Sequence, residues 1–324
     1  MARMFQASQP RVTLRFTLGF FRVLPPGDRP AGVSARERPA AVVPFRRFIV
    51  VGGAMIAIRS CRGQDELEAC VQLQVETWGY DPTDVIPRKA FLVWQKVGGQ
   101  VIGAFDTNLP GAGNEGGPES LVGFVLALPG IKSGPETGLG AGEPRPYLHS
   151  HMMAVKEGYR NRGLGVQLKL EQRKDALRRG IRLIEWTFDP LEIKNAFLNI
   201  HKLGAVARSY MVDFYGVSSS RLQGGLPTDR LLAEWRLDSP HVEAILEGRA
   251  KNSLVIEELI QVPATIYEWK ASEAGREQAL AVQMENRQKF LEAFSQGLAV
   301  LAFARDAAGN GSFELGRLSQ LELN

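Results

Sequence analysis

The sequence predicts an α+β fold in which helices flank a mixed central sheet, and three observations support this. Strand-like segments alternate with amphipathic helical segments from residue 56 onwards. Two strands, 98–106 and 121–129, are separated by a loop rich in Gly and Pro, which is typical of an antiparallel hairpin with a long tip. A further strand runs through a glycine-rich turn directly into a helix over residues 152–170. A hairpin combined with a strand-to-helix connection indicates a mixed sheet.

The elements between residues 55 and 238 follow one another in the order β-α-β-β-β-α-β-α-β-β. The strands are predicted at 56–61, 98–106, 121–129, 147–155, 181–188, 207–215 and 230–237. The helices are predicted at 65–77, at 163–179 before Gly180, and from Asp189-Pro190 to Gly204. Asp before Pro favours a helix start, and Gly after a periodic segment favours a helix end.

The first 54 residues differ in composition from the rest of the chain. They contain nine Arg, no Lys and two acidic residues, a net charge of +7, whereas the remaining residues sum to −3. We interpret residues 1–54 as a basic, disordered leader. It is either an organellar targeting peptide or the product of a mispredicted start, and the strand pattern that begins at Ile56 favours Met55 as the initiator. The nearly neutral remainder argues against a general nucleic-acid-binding protein.

Two further features of the sequence bear on the expected compartment of the protein and on metal binding. The longest apolar run, 48–58, is too short to span a bilayer, so a cytoplasmic protein without a membrane partner is expected. Cys61 and Cys70 lack the spacing of metal ligands and are expected to be reduced core thiols. No metal cofactor is expected.

The junction between strand 147–155 and the following helix carries the glycine motif, Arg160-x-x-Gly163-x-Gly165. Glycines at a helix start let a ligand approach the backbone, and the free N–H groups of the first turn attract an anion such as a pyrophosphate. Neither a dinucleotide-binding G-x-G-x-x-G nor a P-loop Gly-Lys-Ser/Thr fits these residues.

Val155 followed by the glycine motif and Leu168 resembles the acyl-CoA-binding core of the GNAT superfamily, the Gcn5-related N-acyltransferases. The resemblance covers residues 55–238 in motif and element order. It implies a GNAT fold and an acyl-CoA co-substrate. Residues 239–324 lie beyond a normal GNAT domain and are expected to add a β-α-β-β extension that packs on it, with a strand at 259–269, a helix at 272–295 and a hairpin at 298–316.

The resemblance also implies which residues bind CoA. The strand before the motif splays from its neighbour in GNAT proteins, so its backbone would bind the pantetheine, and Asn195 resembles an asparagine that many of these enzymes point at the CoA arm. The expected CoA-binding residues are Met153, Ala154, Val155, Arg160, Asn161, Arg162, Gly163, Leu164, Gly165 and Asn195.

The catalytic groups are less well defined by the sequence. Counting back from Gly204 places Ile200 where the family usually has its tyrosine acid, so Tyr210, Tyr215 or solvent would protonate the thiolate. Glu185 is a candidate base acting through water, with an exposed structural glutamate as the alternative. His149 and His151 are expected on one strand face with Met153, and His151 is a weaker base candidate beside structural or metal-binding readings.

Trp78-Gly79-Tyr80 falls where GNAT proteins build the acceptor pocket, and a core position is the alternative.

The resemblance implies an N-acyltransferase that moves an acetyl or succinyl group from CoA to a small-molecule amine or an amino acid. A non-catalytic acyl-CoA-binding or regulatory protein on the same scaffold is the main alternative, and a protein acetyltransferase is a third. The expected partner is a small amine, not nucleic acid, and a homodimer is compatible with this interpretation.

Overall fold

The computed structural model describes residues 46–133, 144–249 and 254–321. The strands are β1 Arg46–Val51, β2 Ala54–Ser60, β3 Gln100–Asp106, β4 Leu121–Lys132, β5 Arg145–Val155, β6 Leu183–Phe188, β7 Val206–Met211, β8 Arg230–Arg236, β9 Glu258–Val262, β10 Leu298–Arg305 and β11 Gly311–Arg317. The helices are α1 Gly63–Trp78, α2 Arg88–Lys96, α3 Leu164–Arg178, α4 Ile193–Ala196, α5 Pro240–Leu246, α6 Ile266–Ala271 and α7 Arg276–Ser295. The chain continues from α4 into a π-helical segment, Phe197–Lys202.

All of these strands belong to one sheet, in the order β1-β2-β3-β4-β5-β6-β8-β7-β10-β11-β9. Only β5 and β6 are parallel among the described strands, and their other neighbours pair antiparallel. A parallel pair needs a crossover connection, which α3 supplies. The sheet is therefore mixed, with its single parallel pair next to the glycine motif.

Helices cover both faces of the N-terminal half of the sheet. Leu67 of α1 and Phe91 of α2 pack with Ala57 and Phe124 on one face. Leu164 and Leu168 of α3 pack with Ile58 and neighbouring strand residues on the other face. Ala57 and Ile58 are consecutive in β2 and point to opposite faces, as the two-residue period of a strand requires.

The described residues after β8, which we call the C-terminal block, extend the same sheet. β10 is next to β7 through the pair Val300 and Ala207, and β11 and β9 follow it. Phe290 of α7 packs against Phe313 and Tyr210, with ring centroids 5.2 Å and 5.5 Å apart. The C-terminal block and the strands before it therefore share one hydrophobic core.

Several predicted boundaries need correction. Residues 46–51 form a strand paired with β2, because RRFIVV is rich in β-branched side chains, so ordered structure begins before Met55. Residues 1–45 lie outside the described residues. Helix α2 was not predicted. The strand expected at 259–269 ends at Val262, since Pro263 interrupts it and α6 follows.

None of the described helices is long and apolar enough to cross a membrane.

Candidate functional site: a wedge between two parallel strands

The parallel strands β5 and β6 are paired over a very short length. Leu148 pairs with Ile184 and His149 with Glu185, and the pairing ends there. Beyond this point β5 remains paired with β4 as far as Val155, while β6 remains paired with β8 as far as Phe188. The two strands therefore diverge. We call the gap between residues 150–155 and 186–188 the wedge. Met153, Ala154 and Val155, the predicted pantetheine-binding residues, lie along its β5 side.

A β-bulge interrupts β5 where the wedge begins. Ser150 pairs with Ala127 and Met152 with Leu126, so His151 is an extra residue opposite β4. A bulge changes which face the following side chains occupy. His149 and His151 share a face, with ring centroids 6.1 Å apart. Met153 does not share it, which corrects the predicted grouping, because Met153 packs on the α3 side of the sheet.

The glycine motif forms the start of α3 beside the wedge. Gly163 is the N-cap residue with φ of +82°, in the left-handed region that favours glycine, and no side chain caps the helix. Asn161 also has a positive φ, of 59°. The first N–H groups of an uncapped helix are free to bind an anion. The local backbone therefore has the geometry that a phosphate site requires.

The side chains of the motif divide into anchors and exposed groups. Leu164 is buried in the core, so its N–H and not its side chain is available to a ligand. Nε of Arg160 donates to the carbonyl of Val155 at 2.9 Å, which ties the motif to the end of β5. Arg162 lies against the turn at Gly52, where an added Cβ would come within 2.5 Å of its guanidinium. Both arginines thus place positive charge next to the helix start.

Gly165 lies in the first turn of α3, next to the wedge. A Cβ at this position would be 3.3 Å from Cε of Met153 and 3.8 Å from Cδ2 of Leu198. Met153 is on β5 and Leu198 is on the π-helical segment after α4. A larger side chain at residue 165 would therefore project into the space between these two elements.

Glu185 lies at the closed end of the wedge on the face that carries His149 and His151. Its side chain is buried and forms an ion pair with Lys132. Burial raises the pKa of Glu185, which Lys132 opposes and Glu234 reinforces. Burial, with help from His151 and nearby lysines, lowers the pKa of His149 to about 4. Burial also lowers the pKa of His151. At neutral pH the imidazoles are uncharged, and Glu185 is a stronger base than an exposed glutamate.

Aromatic side chains lie further along this face. The hydroxyl of Tyr215 is 2.8 Å from Oγ1 of Thr187, which follows Glu185 by two residues on β6. The rings of Trp78 and Tyr80 stack with centroids 5.7 Å apart. Burial raises the pKa of Tyr80, Arg230 lowers it and Tyr215 raises it further, so these residues are electrostatic neighbours.

Two loops are joined at this aromatic region. Both the backbone N–H and the hydroxyl of Ser219 donate to Oδ2 of Asp84, at 3.0 Å and 2.6 Å. The N–H of Asp81 donates back to Oγ of Ser219 at 3.0 Å. These hydrogen bonds join the segment after α1 to the segment after β7.

The strand arrangement identifies the fold. The strand before the glycine motif, β5, diverges from its parallel neighbour β6, and α3 begins in the motif. Over residues 54–236 the strands and helices follow the predicted order, with α2 as an additional helix. The described residues therefore form an α+β fold, with the mixed sheet and flanking helices expected of a GNAT domain. This confirms the fold class that the sequence predicts.

Comparisons with known proteins give structural matches only. No family model matches the sequence, and no curated protein matches it. The chain is similar to Arabidopsis thaliana NAA60 in complex with acetyl-CoA, at 18% identity and a TM-score of 0.44, over 56% of this chain and 99% of that one.

Two further matches have lower identity. The ribosomal-protein-S18-alanine N-acetyltransferase of Escherichia coli gives 13% identity and a TM-score of 0.40, over 62% of this chain and 99% of that one. FeeM, an N-acyl amino acid synthase from uncultured soil microbes, gives 12% identity and a TM-score of 0.39, over 63% of this chain and 98% of that one.

Not all of the predicted site residues meet at the wedge. Tyr210 is held elsewhere, because its hydroxyl donates to Oδ2 of Asp229 at 2.7 Å and its ring stacks on Phe290. Asn195 is exposed on α4, and its role stays a prediction. Helix α4 begins at Ile193 and not at Asp189-Pro190, because Oδ1 of Asp189 accepts the N–H of Leu191 and closes a separate turn.

Sequence reasoning missed the partners of Glu185. Glu234 of β8 pairs with Glu185 across the sheet and is itself buried, with Arg208 donating to Oε1 at 2.7 Å. Lys132 comes from the end of β4. A glutamate within the otherwise apolar segment LLAEW is a signal that could have revealed Glu234.

Proposed function

We propose that this chain is an N-acyltransferase that moves an acyl group from CoA to the amine of a small molecule or amino acid. The observation that carries the proposal is the wedge beside an uncapped, glycine-started helix. Free helical N–H groups suit the pyrophosphate of CoA, and the unpaired edge of β5 suits its pantetheine arm. Arg160 and Arg162 add positive charge for the phosphates.

The proposed reaction is a direct transfer. The amine nitrogen attacks the thioester carbonyl and forms a C–N bond, and the C–S bond then breaks to release the CoA thiolate. Backbone N–H groups at the bulge of β5 are suited to stabilise the oxyanion. The proton lost by the amine goes to Glu185, directly or through a water molecule.

The thiolate must gain a proton. Ile200, at the usual position of the tyrosine acid, is buried and has no proton to give. The hydroxyl of Tyr210 already donates a hydrogen bond to Asp229. Tyr215, whose hydroxyl meets Thr187, therefore remains as the candidate acid, with solvent as the alternative source.

The apolar residue at position 200 also favours a second candidate function, a non-catalytic acyl-CoA-binding protein. Release of thiol from acetyl-CoA and from succinyl-CoA, measured against a panel of amino acids and polyamines, distinguishes the two. For any active amine, Glu185→Gln should lower kcat by about 10²-fold or more, because the amide cannot accept the proton. Glu285→Gln, on the exposed surface of α7, is the matched control.

The wild-type pH profile adds an independent readout. The rate should fall as pH decreases through the raised pKa of Glu185, and this limb should be absent in Glu185→Gln. CoA binding without thiol release across the whole panel would contradict the enzymatic proposal and favour the binding protein.

A further inference from the structure

A buried lysine lies at the closed end of the wedge, on the face opposite Glu185. Lys169 of α3 is 2% exposed. Its Nζ donates to Oγ of Ser150 at 2.8 Å and lies 3.7 Å from the centroid of the Trp186 ring. Ser150 and Trp186 are the first residues of β5 and β6 beyond their last pair. The amine of Lys169 therefore lies between the two strands at the point where they diverge.

Within the described residues this amine lacks a paired carboxylate. Among residues 46–133, 144–249 and 254–321, Lys169 forms no ion pair, and Ser150 is its single hydrogen-bond partner. Glu171 of the same helix pairs with Arg47, and Asp175 pairs with Arg178 and Arg179. A buried cation without an anion is costly, and burial accordingly lowers the pKa of Lys169 well below its usual value.

The hydrogen bonds around Lys169 leave a buried amide donor, Nε2 of Gln172, without a partner among the described residues. Oγ of Ser150 donates to Oε1 of Gln172 at 3.1 Å, so the hydroxyl and the amide oxygen are both in use. Nε2 of Gln172 is fully buried and has no acceptor in the part of the chain that the structure describes. Within the described residues the amide N–H of Gln172 therefore lacks an acceptor, and the amine of Lys169 has Ser150 as its single hydrogen-bond partner.

We propose that Lys169 selects the acyl donor, and that the wedge takes acyl-CoA thioesters whose acyl group ends in a carboxylate, the monoacyl thioesters of short dicarboxylic acids. This rests on the proposed function, in which CoA enters the wedge beside the glycine motif. The acyl group is then the part of the co-substrate that reaches furthest toward the closed end. A terminal carboxylate there would accept from Lys169 and from Gln172, and Lys169 would take up a proton on binding.

The experiment compares acyl groups that differ only in the terminal carboxylate. Binding of malonyl-, succinyl- and glutaryl-CoA is measured by calorimetry against propionyl-, butyryl- and valeryl-CoA, their uncharged counterparts of equal carbon number. For at least one pair, wild-type protein should prefer the carboxylate by about tenfold or more, as one charge-assisted hydrogen bond provides. Lys169→Met should abolish the preference, and Lys174→Met, an exposed lysine of the same helix, should keep it.

Proton uptake on binding is a second readout of the same assignment, and its first part uses the wild-type protein alone. Titrations in two buffers of different ionisation enthalpy should show protons taken up when wild-type protein binds the preferred carboxylate, and not its uncharged counterpart. His149 is the titratable group of β5 that interacts electrostatically with Lys169. Uptake that persists in Lys169→Met would assign the proton to His149 and overturn the proposal.

Two failures are distinguishable. Equal affinity within every pair, with all of the acyl-CoA thioesters bound, would overturn the role of Lys169 and leave the proposed function standing. Failure of the wild-type protein to bind any of these thioesters would contradict both.

Discussion

Two buried lysines of this chain lie in opposite electrostatic surroundings. Lys270, on α6 of the C-terminal block, lies 2.8 Å from Oδ2 of Asp189 and 2.8 Å from Oε1 of Glu192. Lys169, at the closed end of the wedge, contacts a hydroxyl and an indole ring. Although burial opposes the charge of both, the two carboxylates raise the pKa of Lys270, whereas that of Lys169 is lowered.

This difference in surroundings distinguishes a lysine that stabilises the fold, Lys270, from one that we assign to ligand binding, Lys169. Lys270 joins α6 to the turn after β6, so its charge holds the C-terminal block against the strand that forms one side of the wedge. Lys169 forms no ion pair with any described residue, and its amine contacts the hydroxyl of Ser150 and the ring of Trp186. Ionisable groups with perturbed pKa values cluster at functional sites, which favours a ligand-binding role for Lys169.

The largest expected loss of unfolding free energy follows from substituting Lys270. Lys270→Met leaves Asp189 and Glu192 without their cation, and breaking a buried ion pair in this way costs about 3–5 kcal/mol of unfolding free energy. Lys289→Met is the control, because Lys289 forms an exposed i,i+4 pair with Glu285 that is worth less than about 0.5 kcal/mol. Urea unfolding of the three proteins measures this, and a loss at Lys270 no larger than at Lys289 would remove the contrast between the two buried lysines.

The second effect concerns Lys169 and has a distinct pH dependence. Between its lowered pKa and 10.5 the unfolded chain binds a proton that the folded chain does not, so stability should rise with pH in this window. The slope from this one group is at most about 1.4 kcal/mol per pH unit. Urea unfolding between pH 7 and 10 should show a smaller slope for Lys169→Met than for wild type. Identical slopes would mean that Lys169 is charged in the folded protein.

The smallest effect concerns the second partner of Lys270. The Glu192 side chain is 24% exposed, whereas that of Asp189 is 10% exposed, so Glu192 has more contact with solvent. Glu192→Gln should cost about 1 kcal/mol, since Asp189 still neutralises the lysine. Asp189→Asn should cost more, because Oδ2 of Asp189 is the more buried of the two acceptors. The reverse order in thermal melts would show that Glu192 is the main partner.

The sequence predicts the element order and the glycine motif well, because both depend on local patterns. Gly163 at the helix start and Gly180 at its end mark α3 without knowledge of the fold. Helix α2 is harder to predict, since its nine residues carry only one buried side chain, Phe91.

The electrostatics of the site depend on contacts between distant parts of the chain. Glu185 receives its partners from β4 and β8, and the bulge at His151 is a property of the pairing with β4. Local periodicity carries no information on either. The missing carboxylate at Lys169 likewise becomes visible only when the surroundings of the side chain are known.

The central claim is that the wedge beside the glycine motif binds CoA, and calorimetry with CoA on Gly165→Val tests it most directly. A valine at residue 165 projects toward Met153 and Leu198, where the CoA arm would pass. Gly158→Val is the control in the preceding loop, because a Cβ there meets nothing within 4 Å. Thermal melts establish that both variants fold. We expect Gly165→Val to lose affinity by about a hundredfold or more, from lost charge-assisted contacts of about 1.5–3 kcal/mol each, and Gly158→Val to bind as wild type. A folded Gly165→Val that binds CoA with wild-type affinity would contradict the claim.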